Sequence, residues 1–211
     1  MHVLFDLDGT LSDPKPGFVR SIAFAFSEIG FELDPEIDLA SYIGPPIHDT
    51  FDKLFPDREL AQSALKLYRQ RYAEVGLFEN ELYAGIAECL ERVSAAAESV
   101  HVATSKPTVF SERIVEHFGL SQYFDVVYGS NLDGSLSDKT ELLDHILEQQ
   151  GIEAQNAVMI GDRRYDMIGA RNHGLKALGV LWGYGTEDEL RGAGAHHICS
   201  HPGEIYDHIF G

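Results

Sequence analysis

Two aspartates that stand two positions apart, Asp6 and Asp8, are the first residues in the chain whose types and spacing suit catalysis. They follow a short apolar run, Val3–Phe5, which is typical of a buried strand. In extended chain, residues i and i+2 point to the same side. Two carboxylates held together need a cation between them, or one of them must keep a proton. The pair therefore predicts a metal site or an acid–base site at a strand end.

A second acidic pair, Asp162 and Asp166, follows another predicted strand, Ala157–Ile160. At positions i and i+4 on a starting helix, these two side chains would add further oxygen ligands to the same region. A cluster of carboxylates with few histidines suits Mg²⁺, which keeps several waters and prefers carboxylates together with substrate phosphate. The acidic residues therefore predict Mg²⁺ as the cofactor.

Hydroxyl and ammonium groups follow the intervening strands. Thr104, Ser105 and Lys106 come at the end of a predicted strand over Ser99–Thr104, and Lys139 begins the helix after the next strand. Thr104 and Lys139 offer a hydroxyl donor and a point cation, which are typical ligands of phosphate. Each residue alone is a weak signal, but their ordered appearance at successive strand ends is typical of one assembled site.

The elements that must position these residues form two blocks. Apolar residues at helical spacing fill Pro16 to about Phe78, whereas strands alternate with helices from Tyr83 onward. That alternation is typical of a parallel sheet covered on both faces. Because the first strand has no partner before Tyr83, we predict an α/β fold, a Rossmann-like parallel sheet core with helices on both faces and an inserted all-helical cap domain. The predicted domains are residues 1–13 with 81–211 for the core, and 14–80 for the cap.

The predicted elements are short and regular. Strands are expected over His2–Leu7, Ser99–Thr104, Phe124–Tyr128, Ala157–Ile160 and Ala177–Leu181, and near His197. Core helices are expected over Ile86–Ala97, Pro107–Phe118, Lys139–Gln150, Tyr165–His173 and Glu187–Arg191, and from Pro202 onward; a short cap helix is expected over Pro35–Tyr42. In such a sheet, ligands bind beyond the carboxyl ends of the strands, where the candidate residues lie.

Composition excludes several classes of partner. The 211 residues include 34 acidic and 16 basic side chains, which gives a formal charge of −18. A chain this acidic repels polyanions, so we expect no nucleic acid polymer and no membrane as a partner. A small phosphorylated metabolite remains compatible, provided that local cations or a metal receive it.

Some features of the sequence bear on the cellular compartment of the protein. The first residues lack the basic and apolar regions of a signal peptide, and no stretch reaches the ~18 apolar residues of a membrane-spanning helix. Cys89 and Cys199 lie far apart without metal-ligand spacing, so we expect free thiols. These features favour a cytoplasmic protein, either a monomer or a homodimer.

The acidic motifs resemble those of a known superfamily. The run Asp6-Leu7-Asp8-Gly9-Thr10-Leu11 is similar to the first signature of the haloacid dehalogenase-like hydrolases. Thr104, Lys139 and the run Gly161–Asp166 resemble the second, third and fourth signatures, in that order. The helical insert lies where the helical cap of this superfamily lies, so the resemblance covers essentially the whole chain. Among its members, the chain resembles phosphoglycolate phosphatase-like and 5′-nucleotidase-like phosphatases.

The resemblance implies catalytic roles for the first acidic pair. Asp6 would be the nucleophile that forms an aspartyl-phosphate intermediate. Asp8 would protonate the leaving oxygen and later activate the hydrolytic water. Because the dehalogenases of the superfamily lack an acid at the Asp8 position, this residue favours phosphoryl transfer. Mg²⁺ would be held by the Asp6 carboxylate, the Asp8 main-chain carbonyl and Asp162, with Asp166 binding directly or through water.

The resemblance also implies how phosphate is bound. Thr104 and Lys139 would hold the transferring phosphoryl oxygens, and Ser105 and Lys106 would line the same pocket. The backbone amides of Gly9 and Thr10 lie near enough to donate as well. Because the proline that often follows the lysine in related phosphatases is absent here, both Lys106 and Lys139 are candidates for the main phosphate clamp.

Substrate choice is expected to come from the cap. The turn containing Gly44, Pro45 and Pro46 is similar to the cap loop that faces the active site in phosphoglycolate phosphatase-like members, or it is simply a helix connector. Similar phosphatases of 5′-nucleotides carry such a turn, and a stretch like Gly179–Gly185. Both substrate classes therefore stay open. Two tyrosines that share a helical face, Tyr68 and Tyr72, are expected in the cap core rather than as a platform for stacking a ligand.

The expected function is a Mg²⁺-dependent phosphatase of a small phosphomonoester, with two alternatives. A phosphomutase of the β-phosphoglucomutase type would retain the phosphate rather than release it. A phospho-receiver or binding module also gathers acidic residues, a hydroxyl and a lysine at strand ends, but it lacks a helical insert after the first strand.

Overall fold

The computed structural model describes residues 1–32, 34, 36–55 and 57–211. Its strands are β1 (His2–Phe5), β2 (Ser12–Asp13), β3 (Glu81–Leu82), β4 (Ser99–Pro107), β5 (Val126–Ser130), β6 (Ala157–Gly161), β7 (Lys176–Val180) and β8 (His197–Cys199). Its helices are α1 (Lys15–Glu28), α2 (Ile47–Leu54), α3 (Arg58–Glu74), α4 (Ile86–Ala96), α5 (Thr108–His117), α6 (Lys139–Gln150), α7 (Arg164–His173), α8 (Glu187–Ala193) and α9 (Gly203–Phe210).

Six of the strands form one parallel sheet in the order β5-β4-β1-β6-β7-β8. The first strand of the chain is therefore central, and it pairs with β4 on one side and β6 on the other. Phe5 lies level with Val102 and with Ile160, β6 ends one residue later at Gly161, and β4 continues to Pro107. This register brings the residues that follow each strand to one edge of the sheet, as the sequence predicts.

The sheet is buried on both faces, which explains its nearly continuous apolar strands. Val3 and Phe5 pack on one face, where α4 and α9 contribute Leu90 and Ile205. Leu4 packs on the other face, against α6, α7 and α8. The predicted α/β class with helices on both faces is confirmed.

The helical cap contains α1, α2 and α3, which pack through an aromatic cluster. Phe51 and Tyr68 lie with ring centroids 5.4 Å apart, and Tyr68 stacks on Tyr72 at 5.3 Å. Aromatic packing of this kind supplies much of the buried area in a small helical unit. The expectation that both tyrosines belong to the cap core is confirmed by their burial.

The predicted short helix over Pro35–Tyr42 is only partly correct. Pro35 lies outside the described residues, and a single 3₁₀ turn covers Leu39–Tyr42. The Asp38 carboxylate accepts a hydrogen bond from the Ala40 N–H and caps this turn. The predicted helix was too long. Of the described residues in this range, only the four of the capped turn are helical before the Gly44-Pro45-Pro46 break.

A small antiparallel pair joins the two blocks and was not predicted. Ser12 pairs with Leu82, and Asp13 with Glu81, where the chain leaves the core and returns to it. Two-residue strands are too short to show alternation in a sequence. We keep the domain limits of 1–13 with 81–211, and 14–80, as a proposal about how the chain is divided.

Two further expectations concern the state of the cysteines and membrane-spanning helices. Cys89 and Cys199 are both free and buried, as expected. Burial raises the pKa of each thiol to about 12, which makes both poor nucleophiles. Among the helices of the described residues, none is long and apolar enough to cross a bilayer.

Candidate active site

Asp6 lies directly after the central strand, between β4 and β6. Its backbone N–H still donates to the Ile160 carbonyl at 2.9 Å, so the sheet fixes its main chain. Its side chain is buried, and Oδ1 accepts a hydrogen bond from the Leu7 N–H at 2.8 Å. This bond orients the carboxylate without consuming its second oxygen.

Lys139 connects two carboxylates at the base of the site. Its Nζ lies 3.2 Å from Asp6 Oδ1 and 2.8 Å from Asp166 Oδ1, and it donates to the Ala103 carbonyl at 2.7 Å. Burial alone would lower the pKa of Lys139, but the Asp166 and Asp6 carboxylates outweigh it and raise the pKa above its ordinary value. The ammonium therefore stays charged and offsets part of the acidic cluster.

Three buried carboxylates form a cluster that fits a metal ion. Asp6, Asp162 and Asp166 each offer an oxygen, and these oxygens lie within 4.8 Å of one another. Burial raises the pKa of Asp162 well above its usual range, and the Asp6 and Asp166 charges raise it further. Burial likewise raises the pKa of Asp166 to about 6, against the opposing Lys139 charge. Hard oxygen donors that repel one another in a dry site suit Mg²⁺.

The loop after β7 holds Asp162 in place. The Tyr184 N–H donates to Asp162 Oδ2 at 2.8 Å, and the Thr10 hydroxyl lies 3.4 Å from Oδ1. An added Cβ at Gly183 would collide with the Asp162 side chain, and one at Gly9, where φ is +82°, would collide with its carboxylate. The glycines are therefore needed because the backbone approaches the Asp162 carboxylate closely. Sequence reasoning noted the stretch Gly179–Gly185 but missed this role.

Asp8 does not join the acidic cluster through its side chain. Its Oδ1 accepts from Lys106 Nζ at 2.6 Å, and the same ammonium donates to the Tyr72 hydroxyl at 2.7 Å. Burial raises the pKa of Asp8, while Lys106 opposes this effect. A carboxyl with a raised pKa is suited to both giving and taking a proton near neutral pH.

The two residues before Lys106 line the cavity beside these carboxylates. Thr104 is buried, and its Oγ1 accepts a long hydrogen bond of 3.3 Å from the Lys106 N–H, which leaves its own hydroxyl proton to donate. Ser105 uses its carbonyl to accept from Ser130 Oγ at 2.8 Å. Both residues line the same cavity as Asp6 and Asp8.

The expectation for the Gly9 and Thr10 amides needs correction. The Gly9 N–H donates to the Ser12 carbonyl at 2.8 Å, and the Thr10 N–H to the Leu7 carbonyl at 3.3 Å. Both donors are used within the turn that follows Asp8, because a tight turn satisfies its own amides. In this structure they are not available to a phosphate.

The predicted cap turn reaches the cavity in part. Gly44 and Pro45 line it, whereas Pro46 precedes α2 and does not. Gly44 has a φ of +111°, and a Cβ there would press on Arg163.

Arg163 itself ties the core to the cap. Its guanidinium donates to the Ile43 carbonyl, and its Nε donates to Glu189 at 3.1 Å. The turn is therefore held against the core by an arginine of the fourth signature. Its position next to Asp162 was the only sequence signal for this contact.

The cavity lies between cap and core, above Asp6 and Asp8. Its empty space is about 630 Å³, part of which opens to solvent. Aromatic side chains supply much of its wall: Phe18, Tyr42, Tyr68, Tyr72 and Phe110. Arg69, which follows Tyr68 on α3, also lines it and was missed, since a lone arginine in an amphipathic helix resembles any surface cation.

Comparison with known proteins decides the family. The family model described as haloacid dehalogenase-like hydrolase matches residues 3–180. The chain belongs to this family. It is 41% identical over 200 residues to a 5′-nucleotidase of Pseudomonas aeruginosa, which covers 94% of this chain and 90% of that protein. The resemblance stated from the motifs is confirmed, and with it the assignment of the chain as an enzyme.

Other relatives of this hydrolase have different names. It is 41% identical over 187 residues to the tyrosine-protein kinase PtkA of Mycobacterium tuberculosis, which covers 88% of this chain but only 64% of that protein. A solved structure described as a predicted phosphatase from Clostridium acetobutylicum superposes with a TM-score of 0.91 at 40% identity. That match covers 99% of this chain and 97% of the other. Relatives named phosphatase therefore share the whole fold of this hydrolase.

Proposed function

We propose that this hydrolase is a Mg²⁺-dependent phosphatase of a small phosphomonoester, either phosphoglycolate-like or a nucleoside 5′-monophosphate, that works through an aspartyl-phosphate intermediate. The observation that carries the proposal is the position of Asp6. It is a buried carboxylate, oriented by the Leu7 N–H, that faces the cavity and lies next to both a cation and two further carboxylates.

The first half of the proposed reaction needs a nucleophile and a proton donor. An Asp6 carboxylate oxygen attacks phosphorus, and the bond from phosphorus to the leaving oxygen breaks. Asp8 in its protonated form gives its proton to that leaving oxygen, which departs as an alcohol. Lys106 next to Asp8 and Lys139 next to Asp6 offset the negative charge that these groups and the phosphoryl oxygens carry.

The second half returns the enzyme to its starting state. Asp8, now ionised, takes a proton from a water molecule that attacks the phosphorus of the aspartyl phosphate, and inorganic phosphate leaves. Thr104 and Ser105 are the candidate donors to the phosphoryl oxygens throughout. A bound Mg²⁺, held by Asp6, Asp162, Asp166 and the Asp8 carbonyl, would offset repulsion between the nucleophile and the anionic substrate.

The proposal is tested by phosphate release from a panel of phosphomonoesters. The panel contains phosphoglycolate, nucleoside monophosphates, sugar phosphates and p-nitrophenyl phosphate, each with Mg²⁺ and with EDTA. We expect release that needs Mg²⁺ and that falls by about 10³-fold or more in Asp6→Asn. Asp144→Asn, the same change at an exposed acid on α6, is the matched control and should keep full activity.

Two results would contradict the proposal. One is a folded, Mg²⁺-binding protein that releases phosphate from no ester. The other is interconversion of sugar phosphates without free phosphate, which would indicate the phosphomutase instead.

A further inference from the structure

The cap wall of the cavity holds a cation that the proposed chemistry does not use. Arg69 lies on α3 next to Tyr68 and contributes to the lining above Asp6 and Asp8. Lys106 also lines the cavity, next to Asp8, whereas Lys139 lies beside Asp6 and is not part of the lining. Arg69 comes from the cap wall, so it faces the part of a bound ester beyond the phosphoryl group.

Arg69 differs from the other cations around the site in its pairing. Lys106 is paired with Asp8, and Arg163 with Glu189. Arg69 forms no ion pair within the part of the chain that the structure describes, and its buried Nε–H has no hydrogen-bond partner there. A guanidinium stays charged at any ordinary pH, and a buried donor without an acceptor costs free energy. The Arg69 side chain is only partly buried and lines the cavity, so a ligand oxygen there would pair with its guanidinium through the exposed N–H groups.

The walls around Arg69 indicate the rest of the ligand. Tyr42 and Phe110 line the cavity with aromatic rings. A planar ring that stacks on aromatic faces and carries an oxygen acceptor would use both features.

We propose that Arg69 is the specificity-determining residue of this cavity and donates to a carbonyl oxygen on a planar heteroaromatic leaving group. The base of a nucleoside 5′-monophosphate has this chemistry. The inference rests on the proposed function, because it names the leaving group of that same reaction. Arg69 acts in recognition only, and no proton or phosphoryl group passes through it.

The test compares two esters that differ at C1 of the pentose, which carries the base in one and a hydroxyl group in the other. Uridine 5′-monophosphate and ribose 5-phosphate carry the same phosphorylated pentose carbon, so their ratio of kcat/KM isolates recognition of the base. We expect wild-type protein to prefer the nucleotide, and Arg69→Met to lower that ratio by about tenfold or more. The ratio is independent of the fraction of folded enzyme, so a destabilised variant still gives an answer.

A matched variant controls for charge. Lys66→Met removes a cation from the same helix at an exposed position and should leave the ratio unchanged. Arg69→Lys keeps the charge but loses the planar fork of donors, and we expect it to recover only part of the preference.

The failures of the two proposals are distinguishable. If ribose 5-phosphate or p-nitrophenyl phosphate is hydrolysed and Arg69→Met leaves the ratio unchanged, the proposed function stands and this inference is wrong. A selective loss on phosphoglycolate would also overturn it, because Arg69 would then bind a carboxylate. If no ester is hydrolysed, binding of uridine 5′-monophosphate to Asp6→Asn is measured by calorimetry. Adding Arg69→Met to this variant should weaken binding about tenfold. Equal binding by the two proteins overturns the inference.

Discussion

The ammonium of Lys106 lies 2.6 Å from Oδ1 of Asp8 and 2.7 Å from the hydroxyl of Tyr72. Asp8 and Lys106 belong to the core, whereas Tyr72 belongs to α3 of the cap. One cation therefore joins the proposed acid–base residue to the part of the chain that covers it. Closure of a cap over a reacting phosphoryl group excludes water, so this contact links substrate enclosure to the environment of Asp8.

Replacing Lys106 should change both the titration of Asp8 and the rate. Burial raises the pKa of Asp8 and Lys106 opposes that effect, so Lys106→Met should raise the pKa further. Carboxyl ¹³C NMR of metal-free protein measures this shift. We also expect kcat/KM to fall by about 10²-fold, since a cation next to the phosphoryl site is lost. Lys176→Met, at an exposed position of β7, is the control; an unchanged Asp8 titration in Lys106→Met would contradict the account.

The acidic cluster should make metal-free protein less stable as the pH rises. Because the folded-state pKa of Asp162 is raised, the folded protein holds more protons than the unfolded chain between the ordinary and the raised pKa. Its stability is lost as the pH rises through that window. In EDTA at about pH 8, Asp162→Asn should melt higher than wild type, because the substitution removes a buried negative charge. We expect ~2–4 °C for each kcal/mol of repulsion that is removed. The gain should shrink toward about pH 4.

With Mg²⁺ present, wild-type protein should instead melt at a higher temperature than Asp162→Asn. An ion that binds only the folded protein stabilises it in proportion to the logarithm of its concentration over Kd, and Asp162→Asn lacks one of its ligands. Thermal unfolding with and without Mg²⁺ measures both effects. If Asp162→Asn melts lower than wild type in EDTA at every pH, repulsion within the cluster is not the dominant effect of this side chain.

Two glycine substitutions separate packing at the site from helix propensity. Gly183→Ala places a Cβ against Asp162 and the Gly9 carbonyl, so we expect a loss of stability of about 1–3 kcal/mol and weaker Mg²⁺ binding. Gly192→Ala in α8 meets no atom within 4 Å and should stabilise by up to ~1 kcal/mol through helix propensity. Denaturant unfolding and Mg²⁺ titration measure these changes. Equal effects of the two substitutions would contradict a close approach of Gly183 to the Asp162 side chain.

The sheet and its carboxyl edge could be predicted because they rest on local patterns. The run at Val3–Phe5 and the strand before Asp162 are apolar on both faces, as is typical of strands in a parallel sheet that is covered on both sides. Once strand ends are known, the rule for open α/β sheets brings Asp6, Thr104 and Asp162 together. Helix α6 begins at Lys139 because the Asp138 side chain caps it, and it ends at Gln150 because Gly151 adopts the left-handed conformation.

The contacts between distant segments could not be predicted in the same way. Lys106 pairs with Asp8 rather than with the acidic cluster, and these two residues lie 98 positions apart in the sequence. The same is true of Arg163, whose contact with Ile43 spans cap and core. No periodicity in the sequence encodes which of several cations meets which carboxylate, because these choices follow from tertiary packing.

The proposed nucleophile is tested most directly by trapping the covalent intermediate. Wild-type protein with Mg²⁺ and a good phosphomonoester from the panel is quenched in acid within a single turnover, digested and examined by mass spectrometry. We predict a hydroxylamine-sensitive phosphoryl group on the peptide that contains Asp6, and its absence in Asp6→Asn and in EDTA. Turnover without any phosphorylated peptide, or with the label on a residue other than Asp6, would contradict the central claim.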